Sequence, residues 1–258
     1  MYPTLVRIGS FEITTFGVMV AVAALVGVRM FGRELSRSGL PATGVDAALA
    51  GVFGGLAGAK LLWSIEHAGE APFLSLLLSR GGMSWFGGFL GGVGTAIVMM
   101  RARGLPLLAT IAAATPALAV GHALGRIGCF LVGDDYGRPS NLPWAVAFPK
   151  GIPPVTVPVH PTQLYEAAAL ALVAWALMRW RRAGVSDHVV LGRYLVMAGA
   201  VRFGIEFIRV NTRLVGPLTL AHLVSLGLCL VGVAVITTDV GQGTVRRSRR
   251  GRGHGRKG

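Results

Sequence analysis

The chain predicts an all-α polytopic membrane protein of about seven transmembrane helices with a small Pro-rich extracytoplasmic segment. Three observations carry that class. The 258 residues are 53% hydrophobic and only 14% charged, with mean hydropathy +0.62, a balance that suits repeated membrane spans and fits a soluble domain poorly. Apolar runs able to cross roughly 30 Å of hydrocarbon recur along the chain. Arginines gather on alternate connections between those runs.

In chain order the runs lie at about Thr15–Val28, Val45–Ile65, Met83–Met100, Leu105–Leu124, Gln163–Met178, Val189–Ile208 and Pro217–Thr237. They make one membrane domain over residues 1–240. The net charge of +14 reads as topology, and no nucleic-acid partner is expected. Arg29, Arg33 and Arg37 follow the first run, Arg101 and Arg103 the third, and Arg179, Arg181 and Arg182 the fifth. A Gly/Arg-rich tail over 241–258 follows the seventh and is expected to be disordered. With seven spans all these clusters share one side, which the positive-inside rule makes cytoplasmic. The N-terminus is then outside. Its charges come after the apolar run and no cleavage site is evident, so the first run is a retained span.

Between spans two and three, Gly51/Gly55, Gly54/Gly58, Gly87/Gly91 and Gly88/Gly92 are each four residues apart, a spacing that lets helix backbones approach closely. The connection His67–Gly82 contains PFLSLLLS, which reads as a short helix on the membrane surface. The longest outside segment, about 134–161, holds seven of the thirteen prolines. Proline opposes helix, so an ordered loop or small cap is expected there, with Trp144 and Phe148 suited to the interface. Cys129 and Cys229 fall at different depths, which disfavours a disulfide, and neither has a zinc-ligand spacing.

Ionisable groups at membrane depth are functional candidates by default. His122, Arg126 and Cys129 on span four are spaced i, i+4, i+7 and share a helix face, with Asp134 and Asp135 at the exit. Arg202, Glu206 and Arg209 repeat that spacing on span six. Pro161 suits the start of span five, where Thr162 or His160 is placed to cap; capping does not account for Gln163, Tyr165 and Glu166 in an apolar chain. Lys60, in GAKLLW, either snorkels or completes a cationic pocket with the arginines. Counted this way the cations exceed the acids, and a guanidinium fork suits a phosphate. A lipid headgroup, anionic and amphipathic, fits that surplus. The alternative is an arginine–carboxylate ladder that satisfies itself and fixes helix packing.

TTFGVMV, GAKLLW, GGMSWFGG, GRIGCFLVGDDYG, HPTQLYE and RFGIEFIR, in that order over almost the whole chain, resemble the phosphatidylglycerol–prolipoprotein diacylglyceryl transferase family of bacterial inner-membrane enzymes. The resemblance implies transfer of diacylglycerol from phosphatidylglycerol to the lipobox cysteine of a preprolipoprotein, with no metal or organic cofactor. Arg126 and Arg202 match the family's essential arginines, the first holding the headgroup. Asp134 stands where the family often has glutamate, Gly137 closes the signature, Gln163, Tyr165 and Glu166 match the HPTQLYE segment, and Glu206 and Arg209 match the charged end of the late span.

Three positions depart from that pattern. Phe86 stands for a family histidine, Cys129 for an asparagine and Ala198 for a tyrosine. Loss of the histidine leaves the base open, with His122, one turn before Arg126, and the carboxylates Asp134 and Asp135 as replacements. Two other readings compete with the enzyme. One is a degenerate paralogue that binds phospholipid or lipoprotein without turnover. The other is a small-solute transporter, which the lack of a detectable internal repeat disfavours.

Overall fold

The computed structural model describes residues 3–9, 11–79, 82–211 and 213–252. A hairpin of β1 (Thr4–Ile8) and β2 (Phe11–Thr14) leads into α1 (Thr15–Arg37). Then come α2 (Gly44–Glu66), the short α3 (Phe73–Leu78), α4 (Trp85–Ala102) and α5 (Leu107–Val132). A second hairpin, β3 (Val146–Phe148) with β4 (Val155–Val159), precedes α6 (Thr162–Arg182) and α7 (Asp187–Glu206). A third, β5 (Arg213–Val215) with β6 (Leu218–Thr219), opens α8 (Leu220–Arg252). The three hairpins are separate two-stranded antiparallel ladders.

Seven of these helices are long, and six are long and apolar enough to cross a membrane. The remaining one, α6, has 21 residues but opens on Gln163, Tyr165 and Glu166 and ends on Arg179, Arg181 and Arg182. The apolar window of α5 is 44% buried, against 11–17% for the other five spans. In those five most residues are half-buried or exposed, a pattern that is costly in water and suits lipid. The short helix expected within 67–82 is present as α3. The tail expected to be disordered from residue 241 falls beyond the last described side chain, and residues 253–258 lie outside the described residues.

The backbone forms two compact units, residues 28–113 and residues 1–27 with 114–258. In the first, α2 and α4 pack through the expected glycines. A methyl group on Gly87 or Gly91 would run into the backbone oxygen of Gly58 or Gly54, and the Thr95 hydroxyl reaches Ala50 O across the pair at 2.8 Å. In the second, Ala119 of α5, Val173, Ala174 and Leu177 of α6 and Val190 of α7 form an apolar core cluster. Small residues again set the spacing of α7 and α8, where a Cβ on Gly199 would stand 2.8 Å from both Ser225 O and Cys229 Sγ. Both cysteines are free thiols.

Candidate active site

The chain reverses directly after α5. The N–H groups of Gly133 and Asp134 both donate to Cys129 O, at 2.8 and 3.1 Å. Gly133 and Asp135 take positive φ values of 81° and 59°. Aspartate tolerates this left-handed conformation better than most side chains. The start of α6 holds the turn in place: Thr162 Oγ1 donates to Asp135 O at 2.9 Å and Gln163 Nε2 to Asp134 O at 2.5 Å. Neither Thr162 nor His160 caps α6, contrary to the sequence reading. Pro161 occupies the cap position without a side-chain bond, because the Thr162 hydroxyl is used on the turn.

Gly137 and Arg138 are stitched between two segments. Gly137 N donates to His160 O, and Arg138 N to Ile208 O, both at 2.9 Å. A Cβ on Gly137 would stand 2.7 Å from Ile208 O, 2.8 Å from Thr162 Cγ2 and 2.9 Å from His160 Cβ. Its part in the site is thus close approach of three backbones.

The turn aims Asp135 at two arginines. Its Oδ2 lies 2.8 Å from Arg126 NH1, and its Oδ1 accepts from Arg209 NH2. Glu166, 1% exposed on α6, places Oε2 at 3.0 Å from Arg126 Nε and Oε1 at 3.5 Å from His122 Nε2. Glu206, at the end of α7, contacts Arg202 NH2 at 2.7 Å and Arg209 Nε at 3.8 Å through Oε2. Its Oε1 accepts from Thr219 Oγ1 at 2.6 Å and Asn211 Nδ2 at 2.7 Å.

Three arginines are thereby shared among three carboxylates, which corrects the surplus of cations read from the sequence. Arg209 also leaves its expected place: α7 ends at Glu206, and Arg209 sits beyond the helix, bridged to Gly137. Arg202 keeps a guanidinium nitrogen, NH1, that is buried without a hydrogen-bond partner among the described residues.

Two aspartates at the membrane boundary are driven in opposite directions. Burial pushes the Asp134 carboxyl above its ordinary range, and Asp135 next to it adds to the effect. Burial acts on Asp135 in the same sense, but the hydrogen bond and charge of Arg209, with Arg126, outweigh it and hold that carboxyl below its ordinary range. Cys129, Asp134 and Asp135 bring one donor atom each within 4.8 Å of one another. A metal there would compete with two guanidiniums already on Asp135.

Of the residues expected from sequence, His122, Arg126, Asp134, Gly137, Gln163, Glu166, Arg202, Glu206 and Arg209 come together. Tyr165 instead accepts the Trp144 indole N–H at 2.6 Å, with His160 Nδ1 3.5 Å from its hydroxyl. Lys60 belongs to the other unit, where its ammonium donates to Ser79 Oγ at 2.8 Å and lies over the Trp63 ring at 4.6 Å. Sequence reasoning passed over Asn211, Thr219 and His222. Thr219 three residues ahead of His222, at the head of an apolar run, was the available signal, since that is the spacing of a helix start.

Fold and site define a multi-pass membrane protein with a buried arginine–carboxylate network where α5 and α7 end and α6 and α8 begin. A family model described as prolipoprotein diacylglyceryl transferase matches residues 3–238. Similar relatives are each named phosphatidylglycerol–prolipoprotein diacylglyceryl transferase. That of Geobacter sulfurreducens is 33% identical over 90% of this chain and 93% of its own. That of Rhodospirillum rubrum is 31% identical over 90% of each, and that of Clostridium tetani 28% over 93% and 98%. The chain belongs to the prolipoprotein diacylglyceryl transferase family of multi-pass bacterial membrane proteins.

Proposed function

We propose that this chain transfers the diacylglyceryl group of phosphatidylglycerol to the lipobox cysteine thiol of preprolipoproteins. The thiol sulfur forms a bond to the glycerol carbon of the diacylglyceryl group as the bond from that carbon to the phosphate oxygen breaks. Glycerol phosphate leaves, and the thiol proton passes to a base. The observation that carries this reading is the pair Arg126 and Arg202 within one carboxylate-braced network, with a buried donor of Arg202 left unmet.

Charge that develops on the leaving phosphate is stabilised by such preoriented donors. Arg126 already holds two carboxylates. A phosphate reaches it by replacing Asp135, whose side chain is 41% exposed, while Glu166 stays buried against Nε. Arg202 offers NH1 without any exchange. The base is Asp134 or His122. Burial raises the Asp134 carboxyl toward a useful range, whereas Asp135, held low by two arginines, suits anchoring better than proton transfer.

The site lies at the opposite end of α6 from Arg179, Arg181 and Arg182. With those arginines cytoplasmic, it faces the outer half of the bilayer, with the N-terminus outside and the 241–258 tail inside. A membrane-embedded lipid and a secreted peptide both reach that side.

The test is transfer by purified protein in detergent from phosphatidylglycerol to a lipobox peptide. Glycerol phosphate release and peptide mass are followed, with Arg126→Ala and Arg202→Ala alongside. Release matched by a diacylglyceryl mass gain, and lost in both variants, is expected. Folded protein that binds phosphatidylglycerol without turnover overturns the reading in favour of a lipid-binding paralogue.

A further inference from the structure

Thr219 and His222 have no part in the chemistry above, yet both are buried, at 5% and 1% exposure. Thr219 immediately precedes α8, and His222 is the third residue of that helix. In a capping box the side chain at the third helical position accepts the backbone N–H of the cap residue. His222 does this, its Nδ1 accepting from Thr219 N at 3.1 Å. An accepting Nδ1 puts the ring proton on Nε2, which is buried and without a hydrogen-bond partner among the described residues. Phe203 and Phe207 flank the ring with centroids 4.9 and 4.5 Å away.

The Thr219 hydroxyl oxygen lies 3.2 Å from the same Nδ1, and its proton is donated to Glu206 Oε1 at 2.6 Å, a commitment of its single proton, since an ionised carboxylate only accepts. Asn211 donates to the same oxygen. Two neutral donors fix Oε1, and Oε2 is thereby turned to Arg202.

We propose that Thr219 and His222 are positioning residues: His222 sets the Thr219 backbone at the head of α8, the Thr219 hydroxyl orients Glu206, and Glu206 aims Arg202 at the lipid phosphate. The inference rests on the transferase reading above. It explains why a polar ring is kept between two phenylalanines, where an apolar side chain would pack at lower cost. Glutamine at 222 preserves the function because its carbonyl accepts the same N–H, and serine at 219 preserves the donor.

The experiment compares Thr219→Val, Thr219→Ser, His222→Ala and His222→Gln with the parent protein in detergent. Phosphatidylglycerol is varied in the transfer assay, its binding is measured separately, and thermal unfolding is followed. Thr219→Val and His222→Ala are expected to raise KM for the lipid and weaken its binding about tenfold, as for a lost hydrogen bond to a charged group. Thr219→Ser and His222→Gln stay within about twofold of the parent. Lowered unfolding temperatures with unchanged KM and lipid binding would reduce the pair to a helix cap and overturn the proposal. Parent protein that binds the lipid without turnover sinks the transferase reading alone, and the binding measurements still decide the role of Thr219.

Discussion

Arg126 and Glu166 are joined across α5 and α6 by an Nε–Oε2 contact of 3.0 Å, with Glu166 1% exposed and Arg126 15%. Breaking a buried pair from one side leaves the other charge uncompensated, typically at a cost of roughly 3–5 kcal/mol. Glu166→Ala is therefore expected to destabilise by about that much and to abolish transfer. Glu166→Gln keeps the shape and should retain more stability than activity. Unfolding in detergent and turnover, measured on the same preparations, separate the two effects. Parent-like stability in Glu166→Ala would mean that the pair is not what anchors Arg126.

Arg126 uses Nε on Glu166 and NH1 on Asp135, two donors held in one plane. A lysine ammonium is a single point charge and cannot span both partners while facing a phosphate. Arg126→Lys should lower kcat/KM on the order of 100-fold or more, the range seen when one preoriented donor is removed. The loss should appear in kcat as well as KM. A change in KM alone would make Arg126 a docking residue and nothing more.

The site was legible in the sequence wherever a single helix carries it. His122 and Arg126 share a face of α5 because 3.6 residues per turn brings i and i+4 together, and their cost in lipid marks them. The pairing was not legible, because Asp135, Glu166 and Glu206 approach the arginines from three different segments. Counting residues along each span made the cations look unopposed. Arg209 was put on the helix by its spacing from Arg202, and Phe207 and Ile208, both apolar, gave no stop signal. Thr219 was read as part of the last span for the same reason. The N-terminal hairpin is too short for its alternation to stand out.

Asp135 gives the protein a defined response to acid. Arg209 and Arg126 hold its carboxyl below the ordinary range against the pull of burial. A group whose folded value is depressed contributes stability that is complete above the unfolded value, about 3.9. That contribution is lost as pH falls through the folded value. The stability gap between parent and Asp135→Asn should be constant from pH 7 to about 5 and should close below about 4. Asp134 has the opposite sign, since burial favours its neutral form, so the ionised carboxyl costs stability that is recovered as pH falls. Unfolding temperatures across this range check both, and an Asp135 gap that closes near neutrality would contradict the network.

Gly137→Ala tests the close approach of three backbones. The added methyl would meet Ile208 O, Thr162 Cγ2 and His160 Cβ, all inside 3.0 Å, and two of these are backbone or β-carbon atoms that cannot rotate away. Overpacking of this kind costs about 1–3 kcal/mol. The displaced segments carry Arg209 on one side and the start of α6 on the other, so activity should fall further than stability. Turnover near the parent's would show that the segments part without disturbing Arg209.

The base is resolved by comparing His122→Gln with Asp134→Asn. Asp134 sits in the turn after α5 with Oδ1 buried and without a hydrogen-bond partner among the described residues, a free acceptor at the boundary where a thiol arrives. His122 Nε2 is 3.5 Å from Glu166 Oε1, and its side chain is 43% exposed. A base that takes the thiol proton contributes typically 100- to 10,000-fold. Asp134→Asn is expected to cost at least the lower figure in kcat and to remove the acid limb of the pH–rate profile, while His122→Gln costs about tenfold or less. The reverse ranking would move the proton transfer to His122 and leave Asp134 as a neighbour of the Cys129 thiol, within 4.8 Å of it. Loss of the acid limb in neither variant would place the proton on the departing phosphate itself, with Arg126 and Arg202 supplying electrostatics only.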